Sequence, residues 1–221
     1  MERTIRVTGK GKISVKPDMI RLLLNLEEVF EEYEQTLQQS AKQVELLKDC
    51  FETLGFERTA LKTLSFNIDT ENESYKDKQG IWRSKFVGYK FRHAMKIEFE
   101  ADNKLLGKVL YALAHCAVRP EFRIQYTVRD VEAAKNQLLG KAVADSKEKA
   151  KVLSEAAGVE LKDIILIDYS WGEIELVSQP MDRCMTLQES CCDMGAGAYE
   201  IDIEADDIDM SDTVTVVWGI E

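Results

Sequence analysis

The stretch Thr4-Ile-Arg-Val-Thr-Gly-Lys-Gly-Lys-Ile-Ser-Val-Lys16 alternates apolar and polar residues on both sides of a central Gly-Lys-Gly. Period-two alternation is typical of a β-strand with one buried face. The glycines predict a bent strand or a tight hairpin, because glycine adopts turn conformations without steric cost. Gly9-Lys-Gly11 is also half of a dinucleotide-binding fingerprint, but a strand follows it instead of a helix. We therefore interpret both glycines as turn residues.

Outward from this stretch, the hydrophobic period changes several times between two and about 3.6. Polar residues 69–79 are predicted to form a long hairpin loop, and 172–198 an irregular insertion. Long adjacent strands with few helices favour an α+β fold with a largely antiparallel sheet, packed with two long helices and one shorter helix. The predicted strands are 20–26, 61–68, 82–100, 122–128 and 163–170, and 199–220 is predicted to be a terminal strand or hairpin. The predicted helices run from Phe30 to Gly55, over about 103–113 and from Asp130 to Gly158.

Two parts of the chain resemble each other. Val15-Lys-Pro-Asp18 matches Val118-Arg-Pro-Glu121, and Gly55 matches Gly158 at the same offset. The alternatives are an internal strand–helix–strand duplication and the chance recurrence of units of similar length. A length of 221 residues allows one large domain, and we expect a single domain over 1–221.

Charge is unevenly distributed along the chain. The formal net charge of −11 argues against general binding of DNA or anionic membranes, which requires excess Lys and Arg. Residues 76–96 are nevertheless basic and rich in aromatics, whereas 199–212 carry only acidic charges. We favour electrostatic pairing of these segments, within one subunit or between copies of a homo-oligomer, over an exposed polar face, and rank single-stranded nucleic acid last. The candidate interaction residues are Lys76, Lys78, Arg83, Lys85, Lys90, Arg92, Asp202, Glu204 and Asp206.

Five cysteines at irregular spacing do not predict a disulfide framework. Together with the absence of an apparent leader, they favour a cytoplasmic location; the alternative is the periplasm or envelope if a leader was removed. Cys50 and Cys116 lie in helical patterns and are interpreted as buried thiols. Cys184, Cys191 and Cys192 cluster with methionines, so a soft-metal or redox site is the alternative to an insertion that packs against a neighbouring subunit.

No pattern in the sequence indicates catalysis or a cofactor. His93 and His115 have no second ligand at metal-binding spacing, and no nucleophile elbow, HExxH or P-loop is present. No apolar run is long enough to span a membrane. We therefore predict a protein without enzymatic activity, resident metal or cofactor.

Four stretches together resemble the SIMPL-domain family. They are Ile5 to Asp18, Phe86-Val-Gly-Tyr89, Lys141 to Gly158 and Thr213-Val-Thr-Val-Val217. The resemblance implies one α+β domain, oligomeric assembly and no established enzymatic activity, with bacterial relatives usually periplasmic and some linked to oxidative-stress defence. The chain departs from the family in lacking the usual export signal and in having His115 and Cys116 where relatives are small and Gly-rich. The implied function is an oligomeric scaffold or stress-defence protein; the alternative is a thiol- or metal-dependent stress protein using the cysteine cluster.

Overall fold

The computed structural model describes residues 3–169, 177 and 205–221. These residues form antiparallel sheets with three α-helices, which confirms the α+β class. The elements in chain order are β1 (Thr4–Val15), β2 (Met19–Phe30), α1 (Tyr33–Glu52), a short 3₁₀ turn (Arg58–Ala60), β3 (Lys62–Lys76), β4 (Trp82–Glu100), α2 (Asn103–His115), β5 (Glu121–Thr127), α3 (Val131–Ala157), β6 (Leu161–Asp168) and β7 (Ile208–Ile220).

The chain divides into two compact units, of which the first contains 3–18, 127–169 and 205–221. Its three-stranded sheet has the order β1-β7-β6, with both pairings antiparallel. Helix α3 packs on one face of β1 and β7. Its buried residues recur at every fourth position and are mostly small, so the helix lies close to the sheet: Ala134, Leu138, Ala142, Ser146, Ala150 and Ser154.

Gly9 and Gly11 correct the turn predicted for the opening stretch. β1 is one continuous strand, and every residue from Thr4 to Val15 is in register with β7. A Cβ at Gly9 would lie 2.0 Å from the Ala142 carbonyl oxygen, and one at Gly11 would lie 2.2 Å from that of Leu138. Both glycines are therefore needed because the α3 backbone approaches the strand closely, and the predicted hairpin and turn are wrong.

A carboxylate on α3 completes the contact with β1. Asp145 Oδ2 accepts a hydrogen bond of 2.6 Å from the backbone N–H of Lys10 and pairs with Lys149 Nζ at 2.8 Å. The hydrogen bond from Lys149, followed by that from Lys10, lowers the pKa of the Asp145 carboxyl. An edge-strand N–H is thus satisfied by a helix side chain, which also fixes the position of α3 along the strand.

The second unit contains 19–126 and a four-stranded antiparallel sheet of order β3-β4-β2-β5. Ile20, Leu22, Leu24 and Leu26 alternate as predicted and are all nearly inaccessible to solvent. Helix α1 packs on β2 and β4 and buries Leu47 and Phe51. A glycine with positive φ follows α1 and α3, as the sequence predicted for both helix ends. The φ angle is +89° at Gly55 and +67° at Gly158.

Two expectations about chain organisation need correction or comment. Residues 69–79 are not a long loop, because β3 continues to Lys76 and only a tight turn connects it to Trp82.

The two strand–helix–strand units that resemble each other in sequence differ in their sheets. The first unit places β2 and β3 in one sheet, whereas the second places β5 and β6 in different sheets. The predicted insertion at 172–198 lies outside the described residues apart from 177. One domain over 1–221 stays a prediction.

Candidate functional site

The end of the β3–β4 hairpin extends beyond the rest of its sheet. The pairing of β2 with β4 stops at Phe30 opposite Tyr89, whereas β3 and β4 remain paired as far as Lys76 and Trp82. We call residues 72–87 the arm. Two-stranded ribbons without a covered face are only marginally stable in water, so an arm of this kind is suited to contact with a partner.

The turn at the tip of the arm is organised by Asp77. Its Oδ1 accepts hydrogen bonds from the backbone N–H groups of Gln79 (2.9 Å) and Ile81 (3.0 Å), and Oδ2 accepts one from Arg83 Nε (2.8 Å). The hydrogen bond from Arg83, followed by that from Ile81, lowers the pKa of the Asp77 carboxyl. Gly80 supplies the positive φ of +78° that the turn requires. The tip is therefore a defined structure that holds the two strands in register.

Aromatic side chains form a row from α1 onto the arm. The rings of Tyr33 and Tyr89 meet edge to face at 5.3 Å, and Tyr89 meets Phe86 in the same way at the same distance. Val87 is the extra residue at a β-bulge, which re-aims Phe86 relative to Tyr89. Trp82 lies four residues before Phe86 on the same strand and therefore on the same face. We call Tyr33, Tyr89, Phe86 and Trp82 the aromatic row.

The aromatic row is largely open to solvent. The exposed fraction is 66% for Trp82, 51% for Tyr33 and 48% for Phe86. Lys76 Nζ lies 5.0 Å from the centroid of the Trp82 ring, a cation–π contact at the outer end of the row. Exposed aromatic rings with a basic side chain beside them are characteristic of an interaction site.

Three of the six candidate basic residues have acidic partners on their own hairpin or the neighbouring strand. These acidic partners do not belong to segment 199–212, with which the sequence analysis expected the basic residues to pair. Surface pairs of this kind contribute little to stability, but they neutralise the basic charge of the inner hairpin. The contacts are Arg83 with Asp77 (2.8 Å), Lys90 with Glu27 (3.1 Å) and Arg92 with Asp69 (2.8 Å).

The remaining candidate residues are distributed unevenly. Within the part of the chain that the structure describes, Lys78 and Lys85 have no ion-pair partner. Asp206 is exposed. Asp202 and Glu204 lie outside the described residues, so their role in pairing stays a prediction. Within the described residues, the basic side chains of the arm without an ion pair are thus Lys76 on β3, Lys78 in the tip and Lys85 on β4.

The thiol and metal predictions concern different regions. Cys184, Cys191 and Cys192 lie outside the described residues, and their function stays a prediction. Among the residues that are described, no group of three His, Cys, Asp or Glu side chains is arranged to hold a metal ion. The sequence did not predict that Cys50 and Cys116 are neighbours. They come together only when α1 packs on α2.

Each histidine has a local structural partner. His115 Nδ1 lies 2.8 Å from the carbonyl oxygen of Tyr111, and the two rings stack at 4.1 Å. His93 Nε2 lies 2.8 Å from Thr63 Oγ1, while its buried Nδ1 has no hydrogen-bond partner in the described structure. Burial, followed by the positive charge of Lys48, lowers the pKa of His93. These environments are typical of structural histidines.

His93 gives a pH dependence of defined sign. Because its pKa is lower in the folded chain, the unfolded chain binds protons more readily, and stability falls as the pH drops below about 6.5. We expect a modest decrease in the urea midpoint between pH 7.5 and 5.5. The His93→Gln variant should lose this part of the dependence, and His115→Gln is the control. Identical pH profiles for the wild type and His93→Gln would contradict the assignment.

None of the helices in the described residues combines the length and hydropathy that a membrane span requires.

Comparison with known proteins places the chain in a family. A 26 kDa periplasmic immunogenic protein of Brucella melitensis biotype 1 is 26% identical over 164 residues, which cover 74% of this chain and 65% of that relative. The chain therefore spans slightly less than two thirds of the relative's length. The family model described as SIMPL, protein of unknown function (DUF541), matches residues 5–218. With nearly its whole length matched, the chain belongs to the SIMPL family.

Proposed function

We propose that this chain is a non-enzymatic protein that assembles with copies of itself through the arm and its aromatic row. The observation that carries the proposal is an exposed row of aromatic rings, with edge-to-face contacts at its inner end, on a ribbon that no other strand of the described residues accompanies. Aromatic side chains contribute large contact areas at low entropic cost and dominate the energetics of many interfaces. Assembly would cover this row and stabilise the ribbon.

The distribution of charge supports a second copy of the chain as the partner that covers the aromatic row. Between 72 and 87 the arm has four basic residues and two acidic ones, whereas the whole chain has a net charge of −11. A weakly basic arm is therefore attracted to the acidic surface of another copy, which favours association and sets its orientation. Single-stranded nucleic acid is a poorer match, because Arg83, Lys90 and Arg92 are already paired with carboxylates and the whole chain has a net charge of −11.

The expected cellular role is that of a scaffold or stress-defence protein. The relative's name includes the word periplasmic, which supports an envelope location for this chain over the cytoplasmic location expected from its cysteines. Fractionation of cells that express the full gene would test the location. Enrichment of the protein in the periplasmic fraction supports it, and exclusive recovery with cytoplasmic markers contradicts it.

The Trp82→Ser/Phe86→Ser double variant tests assembly directly. Each aromatic anchor at an interface contributes about 2 kcal/mol or more, so removal of both should weaken self-association by roughly 1,000-fold. Sedimentation velocity at low and high salt would measure the molar mass relative to the 25.2 kDa of one chain. We expect a multiple of that mass for the wild type and a shift toward the monomer for the double variant.

Val152→Ser is the matched control. Val152 is 60% exposed on α3 and lies outside the aromatic row, so its replacement should leave the molar mass unchanged. Far-UV circular dichroism would verify that the double variant is folded. A wild type that is monomeric at every salt concentration, or a double variant that assembles as well as the wild type, would refute the proposal.

A further inference from the structure

Cys50 and Cys116 lie at the contact between two helices of the second unit. Cys50 is in the last turn of α1, and Cys116 directly follows α2, against which α1 packs. Cys116 Sγ lies 4.0 Å from the carbonyl oxygen of Leu46. Leu46 lies four residues before Cys50 in α1, which is one turn of the helix. Helical side chains tilt toward the N-terminus, so the Cys50 side chain lies over that turn. The two sulfurs are therefore neighbours.

The surroundings of the pair restrict its access to solvent. Both thiols are half-buried. Burial, followed by the charge of and hydrogen bond with the Cys116 thiol, raises the pKa of Cys50 to about 11. This coupling agrees with the direct contact deduced from the Leu46 carbonyl. Half-burial leaves room for a small oxidant and largely excludes a second protein, while the raised pKa of Cys50 slows the attack of its own sulfur on the oxidant.

We propose that Cys50 and Cys116 are a redox-active pair that a peroxide converts into an intramolecular disulfide between α1 and the end of α2. The assignment goes beyond the proposed assembly and does not depend on it. It also differs from the thiol function suggested by sequence, which concerned Cys184, Cys191 and Cys192.

The reaction is balanced with hydrogen peroxide as the oxidant. One thiol loses its proton, and its sulfur attacks the O–O bond, which breaks to give a sulfenic acid and a first molecule of water. The sulfur of the second thiol then displaces the hydroxyl group of the sulfenic acid, and that group leaves as a second molecule of water after taking up the second thiol's proton. The S–S bond forms, two sulfurs together lose two electrons, and the peroxide gains them.

Peptide mapping of the full chain tests the pair. The reduced protein is treated with hydrogen peroxide, alkylated and digested without reductant. We expect the peptides containing Cys50 and Cys116 to be linked, with the loss of two alkylatable thiols and full recovery of both on reduction. The Cys184→Ser/Cys191→Ser/Cys192→Ser variant keeps only the proposed pair, and its two alkylatable thiols should both be lost.

Single variants separate the pair from general oxidation. In Cys50→Ser and Cys116→Ser the intramolecular link should be absent, and a sulfenic acid at the remaining cysteine should become trappable by dimedone. Circular dichroism verifies the fold, and the triple variant tests the pair even if a single variant fails to fold. Two outcomes overturn the proposal: separate oxidation of Cys50 and Cys116 in the triple variant without a link, or a disulfide among Cys184, Cys191 and Cys192 while both proposed partners stay alkylatable.

Discussion

The Gly9→Ala variant is expected to lose most of the stability of the first unit, although it adds a single methyl group. The new Cβ would lie 2.0 Å from the Ala142 carbonyl oxygen and 2.5 Å from the Ser146 backbone nitrogen. Both atoms belong to the backbone of α3, so a rotamer change cannot relieve the overlap. The helix must move away from β1, which also breaks the contact of Asp145 with Lys10. We expect a loss of about 4 kcal/mol or more.

Gly140→Ala is the matched control for Gly9→Ala. Gly140 is in α3 itself, and a Cβ there would meet no atom within 4 Å. Alanine should therefore stabilise the helix by about 0.5–1 kcal/mol through its lower backbone entropy. Hydrogen exchange in β1 and β7, compared with β2 and β4, would locate the effect after urea denaturation measures its size. Equal stability of Gly9→Ala and the wild type would show that α3 does not approach β1 as closely as described.

The Phe51→Ala variant is expected to destabilise the second unit by about 3–5 kcal/mol. Phe51 is 2% exposed at the end of α1. Its ring meets that of Phe56 at 6.0 Å, and Phe56 meets Phe99 of β4 at 5.7 Å. Truncation therefore leaves a cavity at the point where the chain folds back after the helix, and it also removes one edge-to-face contact.

Leu37→Ala on the same helix provides the comparison. Leu37 is 41% exposed, so its truncation creates no buried cavity, and we expect a change within about 0.5 kcal/mol. Urea denaturation followed by far-UV circular dichroism would measure both variants. A Phe51→Ala variant no less stable than Leu37→Ala would contradict the role of the three rings as the anchor of α1.

Local sequence signals were sufficient to predict features that depend only on residues within one helix or strand. The Asp130 side chain accepts a hydrogen bond from the backbone N–H of Ala133 at 2.8 Å, and Gly158 ends the same helix, both as predicted. The alternation from Ile20 to Leu26 likewise identified the buried face of β2. Caps and periodicity are properties of adjacent residues, so they can be recognised before the chain is folded.

The candidate site was only partly predictable. The basic aromatic segment 76–96 was recognised, and its first part, 76–87, belongs to the exposed arm, yet patterning could not show that Glu27 and Asp69 lie beside Lys90 and Arg92. That pairing depends on the register of three strands. The aromatic row was missed for a similar reason, because Tyr33 belongs to a helix and joins the row only through its contact with Tyr89.

By itself, the sequence determined the α+β class, the positions of the helices, the resemblance to the SIMPL family and the segregation of charge. Only the tertiary structure decided what Gly9 and Gly11 are for, how far the arm extends and that Cys50 meets Cys116. The physical reason is that the first group depends on neighbours along the chain. The second depends on atoms brought together by the packing of α3 on β1, the pairing of β3 with β4 and the packing of α1 on α2.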